Sequence, residues 1–219
     1  HIEVIGLIQA RMDSTRLPGK VMLPLDGVPV LEQELRRVSF VNGIDEVVVT
    51  TTTNSQDDIL DRYISELGYS IFRGTESDVL ARLDDAAEAR DADIVLWLSG
   101  DNPIVPPRLM ERVLRMIIED DNEYYSNKLD RTLPIGVTAE AFDRDTFNCV
   151  ARDASDPFYR EHVSRNFTDF PGNFDCQNVT ADEICSPTFL DSHPVDSITN
   201  LRLTLDWAED YSLFRRVYE

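Results

Sequence analysis

Residues 2–20, IEVIGLIQARMDSTRLPGK, pass from an apolar run into a polar loop. The run at residues 2–10 has the length and composition of a buried β-strand. The loop at residues 11–20 contains Pro18 and Gly19, which favour a turn rather than a regular element. Open α/β sheets bind ligands outside the C-terminal ends of their strands. We therefore expect the loop to lie at a binding site.

Strands and helices alternate regularly after this loop. Helices are predicted at residues 28–38, 56–67, 78–89 and from 107 to about 118, and strands at 46–52, 69–73 and 93–98. The strands are short and apolar, as in a parallel sheet that is covered on both faces. The sequence therefore predicts an α/β fold: a three-layer α/β/α, Rossmann-like arrangement with a mostly parallel sheet.

The alternation weakens after Glu119. Strands are predicted at residues 124–127 and 136–142, a helix at 158–167, an irregular stretch at 171–194, a strand at 201–205 that returns to the sheet, and a last helix at 208–218. The length suits a single domain over residues 1–219. We expect its second half, 120–219, to elaborate the sheet of the first half, 1–119, and to carry an arm that packs on a second subunit of a homodimer.

The composition is strongly acidic. The 219 residues include 41 Asp and Glu, only two lysines, Lys20 and Lys128, and a net charge of −20. With 42% hydrophobic residues, we interpret this charge as a halophilic surface rather than as disorder. It opposes binding to nucleic acid and to anionic membranes, so neither is expected as a partner. A visible signal peptide is lacking, and the three cysteines lack CxxC spacing, so a reducing cytoplasmic location is expected.

The loop at residues 11–20 concentrates positive charge. Arg11, Arg16 and Lys20 lie within ten residues, and Ser14 adds a neutral donor. The loop matches neither a Walker A motif nor a GxGxxG loop. Guanidinium forks and an ammonium group are suited to an anion such as a polyphosphate. The alternative is a solvated basic loop, which is a poor explanation in so acidic a chain.

Two aspartates are candidate metal ligands. Asp101 follows the apolar strand at 93–98, and Asp206 ends the predicted strand at 201–205. Two carboxylates at neighbouring strand ends, together with phosphate oxygens, would give the oxygen ligands that Mg²⁺ prefers. The alternatives are a turn before Asn102 for Asp101 and a helix N-cap for Asp206.

Five stretches resemble one known family. Residues 7–20, LIQARMDSTRLPGK, resemble the signature of the cytidylyltransferases that make CMP-activated sugar acids. The resemblance is to the branch of spore-coat polysaccharide biosynthesis protein F in particular, and the chain is also similar to the Kdo and neuraminate enzymes. Four further blocks follow in the family's order: 72–80 FRGTESDVL, 99–105 SGDNPIV, 159–163 YREHV and 203–210 LTLDWAED.

The resemblance implies a nucleotidyltransferase fold and activity. The first half would bind a nucleoside triphosphate in the form of CTP, and the second half a sugar or sugar acid. The product would be a CMP-sugar for surface polysaccharide, formed with Mg²⁺ at Asp101 and Asp206 and with release of pyrophosphate. Arg11 and Lys20 would be catalytic. The nucleotide-binding residues would be Leu7, Gln9, Ala10, Arg11, Ser14, Arg16, Lys20, Arg73, Asp78, Ser99, Gly100 and Asp101.

The sugar side departs from the family pattern. Candidate sugar contacts are Asn127, Glu140, Arg160, Glu161 and His162, with Arg160 able to pair a sugar carboxylate. Alternatively, Glu161 forms an i,i+4 pair with Arg165, and His162 is a packed or surface histidine. Thr138 stands where relatives carry Asp, and Ile135 replaces a polar residue.

Two other functions compete with this interpretation. A nucleotide-sugar-dependent glycosyltransferase shares this kind of sheet, but it would show an Asp-x-Asp motif, whereas the chain reads Asp101-Asn102-Pro103. A catalytically weak nucleotide-binding scaffold would keep the nucleotide pocket and lose turnover. The departure from the family pattern at Thr138 supports this alternative.

Overall fold

The computed structural model describes residues 1–120 and 122–219, and a β-sheet forms its centre. Its strands are β1 (Val4–Gln9), β2 (Pro24–Leu25), β3 (Val28–Pro29), β4 (Glu46–Thr52), β5 (Ser70–Gly74), β6 (Ile94–Ser99), β7 (Tyr124–Ser126), β8 (Glu140–Asp143) and β9 (Cys176–Asn178). Seven of them form one sheet in the order β5-β4-β1-β6-β8-β7-β9, while β2 and β3 pair separately.

The sheet is mostly parallel, as predicted. β1 pairs in parallel with β4 and β6, and β4 with β5. β8 runs antiparallel to both β6 and β7, and β9 is parallel to β7. β8 is therefore the one strand of this sheet that opposes β1. Since β7, β8 and β9 come from the second half, both halves of the chain contribute to one sheet.

Helices cover both faces of the sheet. They are α1 (Val30–Val38), α2 (Asp58–Glu66), α3 (Val79–Glu88), α4 (Pro107–Asp120), α5 (Arg144–Asp153), α6 (Pro157–Glu161), α7 (Arg165–Thr168), α8 (Ala181–Ile184), α9 (Pro187–Ser192), α10 (Val195–Thr199) and α11 (Ala208–Tyr218). One core cluster packs α1, α2 and α4 on one face, and a second packs α3, α5 and α7 on the other. The predicted three-layer α/β architecture is thus confirmed.

The second half differs from its prediction in several elements. The single helix predicted at 158–167 is broken into α6 and α7, because His162 leaves helical geometry with ψ of 68°. The strand predicted at 136–142 begins only at Glu140, and the stretch expected to be irregular contains β9, α8 and α9. Helix α5 was not predicted, although Asp143 caps it by accepting from the Asp145 and Thr146 amides.

The predicted strand at 201–205 does not join the sheet. β6 is already paired with β1 on one side and β8 on the other, so its edges are closed to a further strand. The segment instead crosses the C-terminal edge, where Leu205 N–H donates to the Asp101 carbonyl at 2.8 Å. Gly136 permits the crossing, since a Cβ there would lie 2.2 Å from the Leu203 carbonyl oxygen.

Within the described part of the chain, no helix combines the length and apolarity required to span a bilayer.

A buried acid in α1 makes stability depend on pH. Glu34 is 1% exposed, and burial, followed by the nearby Asp101 carboxylate, raises its pKa well above the usual range. The folded protein therefore keeps a proton that the unfolded chain releases. Stability from this group is fully present below the unfolded pKa, about 4.3, and is lost as the pH rises through the folded pKa.

We expect Glu34→Gln to remove this dependence. The wild type should lose about 1.4 kcal/mol of unfolding free energy per pH unit between the unfolded and folded pKa of Glu34, relative to the variant. Urea denaturation at a series of pH values measures both slopes. Parallel stability curves for the two proteins would show that Glu34 does not titrate as described.

Candidate active site

A cavity of about 930 Å³ opens at the C-terminal ends of β1 and β6. The two strands end in register, with Gln9 opposite Ser99, so the loops that follow them lie side by side. The loop at residues 11–20 forms one wall, and the segment around Gly136 and Thr138 forms another. The predicted ligand-binding edge therefore carries the cavity, which is large enough for a nucleotide together with a second substrate.

The loop at residues 11–20 turns Lys20 inward. Gly19 has a φ of +69°, a conformation that favours glycine, and its N–H donates to the Met12 carbonyl at 2.9 Å. This closes the loop into a turn, and a 3₁₀ turn begins at Lys20. Lys20 is consequently only 9% exposed although it follows a polar loop.

The Lys20 ammonium binds both predicted metal ligands. Its Nζ lies 2.6 Å from Asp101 Oδ2 and 2.9 Å from Asp206 Oδ1. The two aspartates are about a hundred residues apart in sequence, and the crossing at 201–205 brings Asp206 beside the β6 edge. Their carboxylates thus converge on one cation, as the prediction of a shared site requires.

Neither aspartate carboxylate serves the turn or cap that sequence left open. Asp101 Oδ1 accepts from the Ser99 hydroxyl at 2.8 Å. Asp206 accepts from Arg16 at 2.5 Å and from Arg202 at 2.6 Å, in addition to Lys20. The start of α11 is capped by another residue, Asp210, which accepts from the amides of Asp206 and Trp207.

Buried charged side chains bind the backbone of the loop at residues 11–20 and of a neighbouring segment. Asp57, which is fully buried, accepts from the Met12 amide at 2.7 Å and from the Thr52 amide and hydroxyl at the end of β4. Arg82 of α3 is also fully buried, and its guanidinium donates to the Thr75 carbonyl at 2.5 Å. Burial, followed by repulsion from Arg11, lowers the pKa of Arg82.

The far end of the cavity is built around Glu140. This carboxylate is 3% exposed and accepts from Tyr124 at 2.6 Å, Ser164 at 2.9 Å and Lys128 at 3.0 Å. Burial and the adjacent Glu140 raise the pKa of the Tyr124 phenol, which keeps it a donor. Lys128 also donates to Ser164 at 2.6 Å. Both lysines of the chain therefore line one cavity.

The structure places most of the predicted site residues on this cavity. Those that line it are Gln9, Ala10, Arg11, Ser14, Arg16, Lys20, Ser99, Asp101, Glu140, Glu161 and His162. Among them, Arg11 lies 3.8 Å from Glu76 and keeps 40% of its side chain exposed. Asp206 contacts the cavity wall through Arg16 and Lys20. Arg165 pairs with Asp169, which leaves Glu161 outside the i,i+4 pair considered above.

Six predicted residues are committed to other contacts in the described structure. Leu7 belongs to the core, and Gly100 packs closely on the Gln9 carbonyl. Arg73 binds the Thr52 and Asn54 carbonyls. Arg160 and Asp78 bind each other at 2.6 Å, and Asn127 holds the backbone of Val137 and Ala139. Leu7, Arg73, Asp78, Gly100, Arg160 and Asn127 do not appear among the residues that line the cavity.

Sequence reasoning missed several side chains of the site. Arg202 orients Asp206, and Asp57 holds the loop at residues 11–20. Nothing in the local sequence of either residue distinguishes it. Lys128 could have been found, because it is one of only two lysines. Ser164 lies at the break between α6 and α7, within a stretch that the sequence predicts to be one helix.

Comparison with known proteins identifies relatives along the whole chain. A family model described as cytidylyltransferase matches residues 5–218. The spore coat polysaccharide biosynthesis protein SpsF of Bacillus subtilis is 30% identical over 99% of this chain and 87% of its own length. A 3-deoxy-manno-octulosonate cytidylyltransferase of Chlorobium limicola is 35% identical over 55% of this chain and 48% of its own length.

Solved structures agree in fold. A cytidylyltransferase from Leptospira borgpetersenii superposes with a TM-score of 0.87 at 29% identity, over 98% of this chain and 86% of that one. A CMP:2-keto-3-deoxy-manno-octonic acid synthetase complexed with CTP has a TM-score of 0.68 at 18% identity, over 98% of both chains. The protein Rv0371c of Mycobacterium tuberculosis, in complex with manganese, has a TM-score of 0.64 at 17% identity, over 98% of both chains.

The sequence resemblance, the sheet and the cavity at its C-terminal edge agree with these matches. The chain belongs to the cytidylyltransferase family and is a nucleotidyltransferase.

Proposed function

We propose that this enzyme transfers a cytidylyl group from CTP to a sugar acid, releases pyrophosphate and depends on Mg²⁺. The observation that carries the proposal is the convergence of Asp101 and Asp206 on Lys20, at the end of an arginine-containing loop that lines the cavity. The relationship to SpsF supports a role in surface polysaccharide biosynthesis. The predicted homodimer and cytoplasmic location stay predictions.

The nucleotide would lie along the end of β1. Gln9 and Ala10 line the cavity where the base would lie, and Arg11, Ser14 and Arg16 follow them towards Lys20. A triphosphate needs several donors of this kind, and the rest of the chain's surface is strongly acidic. The order of these residues along the loop supports a base-to-phosphate direction that ends at the carboxylates.

The carboxylates have the donor chemistry for a divalent cation. Asp101 and Asp206 supply oxygen atoms that already bind one shared cationic group, and phosphate oxygens would add the remaining ligands. The manganese complex of Rv0371c, a protein with the same fold, supports the use of a divalent ion. Mg²⁺ would supply charge neutralisation to the triphosphate when bound.

The chain's own residues account for the electrostatics of the reaction. An acceptor oxygen forms a bond to the α-phosphorus while the bond from that phosphorus to the leaving pyrophosphate breaks. Negative charge grows on the α-phosphoryl oxygens and on the leaving group. Arg11, Arg16 and Lys20 are placed to neutralise this charge. We expect this electrostatic stabilisation to make the largest contribution to the rate enhancement.

The acceptor would occupy the end of the cavity near Glu140. Lys128 and Arg131 line the cavity. Arg131 can pair with a sugar carboxylate, Lys128 adds positive charge while it donates to Glu140 and Ser164, and Glu140 can accept from a hydroxyl. Arg160 was expected to pair the carboxylate, but its guanidinium binds Asp78 and two backbone carbonyls. Thr138, the departure from the family pattern, also lines this end. These contacts favour a sugar acid over a neutral sugar.

Nucleotide choice can be tested without an acceptor. We expect CTP with Mg²⁺ to raise the melting temperature more than UTP, GTP or ATP, because the base would be read along the end of β1. A ligand present at 100 times its Kd stabilises the fold by about 2.7 kcal/mol. A thermal-shift screen of the four nucleotides measures the difference. Equal shifts for all four would contradict selection of cytosine.

A further inference from the structure

The Lys20 ammonium lies where a cation shared by Asp101 and Asp206 must lie. We infer that Lys20 and a divalent cation are alternative occupants of this position, so that the metal binds tightly only when a nucleotide draws Lys20 away. The inference rests on the proposed metal role of the two aspartates. It goes further in assigning Lys20 a function before catalysis, as the cation that neutralises the two carboxylates until nucleotide and metal bind.

The geometry of the two carboxylates requires a cation between them. Both bind the same ammonium, at 2.6 and 2.9 Å, and the side chains of Lys20, Asp101 and Asp206 are only 11%, 21% and 12% exposed. Two carboxylates held this close and this far from solvent repel each other strongly unless a cation or a proton is shared. Lys20 fulfils that requirement and simultaneously blocks a metal ion.

The two oxygen atoms of the Asp206 carboxylate have different partners, one fixed and one exchangeable. Its Oδ2 accepts from Arg202 at 2.6 Å, and Arg202 is itself held by Asp210 at 2.6 and 2.7 Å. Its Oδ1 binds Lys20 and Arg16, which both belong to the cationic loop. Arg202 can therefore keep Asp206 oriented while the loop cations leave.

A polyphosphate is the ligand that would remove the loop cations. Arg16 and Lys20 bind Asp206 in this structure, and each is equally suited to pair with phosphate oxygens. Once Arg16 and Lys20 pair with phosphate oxygens, the carboxylates of Asp101 and Asp206 can bind a metal ion that arrives with the same phosphate. Nucleotide and metal thus bind cooperatively, and each lowers the free-energy cost of binding the other.

The test is a titration with Mn²⁺ in the absence of nucleotide, in which electron paramagnetic resonance measures the concentration of free Mn²⁺. Lys20→Met keeps the aliphatic stem and removes the charge, so we expect Mn²⁺ to bind at least about tenfold more tightly than to the wild type. Lys128→Met removes the other lysine of the cavity and should leave the Mn²⁺ affinity unchanged. An unchanged or weaker affinity of Lys20→Met would overturn the inference.

Two further measurements keep the test decisive if Lys20→Met is unstable. The variant's melting temperature should fall without metal and should rise on Mn²⁺ addition by more than that of the wild type. Arg16→Ala removes the other cation on Asp206 Oδ1, from a side chain that is 48% exposed, and should tighten Mn²⁺ binding by a smaller factor. The inference is wrong if neither variant binds Mn²⁺ more tightly.

These measurements do not depend on turnover. If Mn²⁺ binds the variants as expected but the wild type releases no pyrophosphate from CTP, the proposed function fails and the exchange stands. If CTP is turned over while the variants bind Mn²⁺ like the wild type, the exchange fails and the proposed function stands.

Discussion

Asp101→Asn and Asp206→Asn are each expected to lower kcat by about a thousandfold or more, which corresponds to about 4 kcal/mol of transition-state stabilisation. Both carboxylates bind one shared cation in this structure, and both are proposed to bind one Mg²⁺ during the reaction. An amide has no negative charge with which to hold that ion. The double variant should be no slower than the slower single variant, because the two residues act through one ion.

Steady-state kinetics at several Mg²⁺ concentrations measure these losses. Asp191→Asn, an exposed acid on α9, provides a control and should keep wild-type kinetics. If Asp101 served only a turn and Asp206 only a helix cap, each change would cost about 1 kcal/mol of stability and leave the chemistry largely intact. Multiplicative losses in the double variant, or activity within a few-fold of wild type in either single variant, would contradict the shared metal site.

Lys20→Ala and Arg11→Ala should each reduce kcat/KM by at least about a hundredfold. Each change removes a positive charge that is placed to neutralise the phosphoryl oxygens or the leaving pyrophosphate, and contacts of this kind are worth about 3 kcal/mol. The Arg11 side chain is 40% exposed, so its loss should leave the fold intact. The measurement is pyrophosphate release at subsaturating CTP.

A matched control for Arg11 is Arg215→Ala. Arg215 of α11 is 59% exposed, pairs with Glu219 and does not line the cavity, so kcat/KM should stay at the wild-type value. The comparison separates loss of a site charge from a change in the net charge of an acidic protein. Comparable activities of the Arg11, Lys20 and Arg215 variants would remove the assigned role of the loop.

The first half of the fold could be predicted because local signals agree there. Apolar strands such as β1 and β6 alternate with amphipathic helices. The second half resists prediction because its elements are short and are stabilised by distant contacts. The segment 201–205 has a strand pattern, yet both edges of β6 are occupied and it crosses over the sheet instead.

The candidate site shows the same division. The loop at residues 11–20 could be predicted because its charges are close in sequence and follow a strand. The guanidinium of Arg160 makes it a candidate partner for a sugar carboxylate, but sequence alone does not reveal that Asp78, 82 residues away, binds it. Arg202 enters the site through a tertiary contact with Asp206, and its local sequence gives no indication of that contact.

The central claim is transfer of a cytidylyl group from CTP to a sugar acid, and pyrophosphate release tests it most directly. The purified enzyme is incubated in high salt with Mg²⁺, one nucleotide and a panel of sugar acids and neutral sugars. We predict pyrophosphate release that requires a sugar acid and is fastest with CTP. CTP binding without pyrophosphate release across the panel would indicate a scaffold, and glycosyl transfer from a nucleotide sugar would indicate a glycosyltransferase; either result would contradict the account.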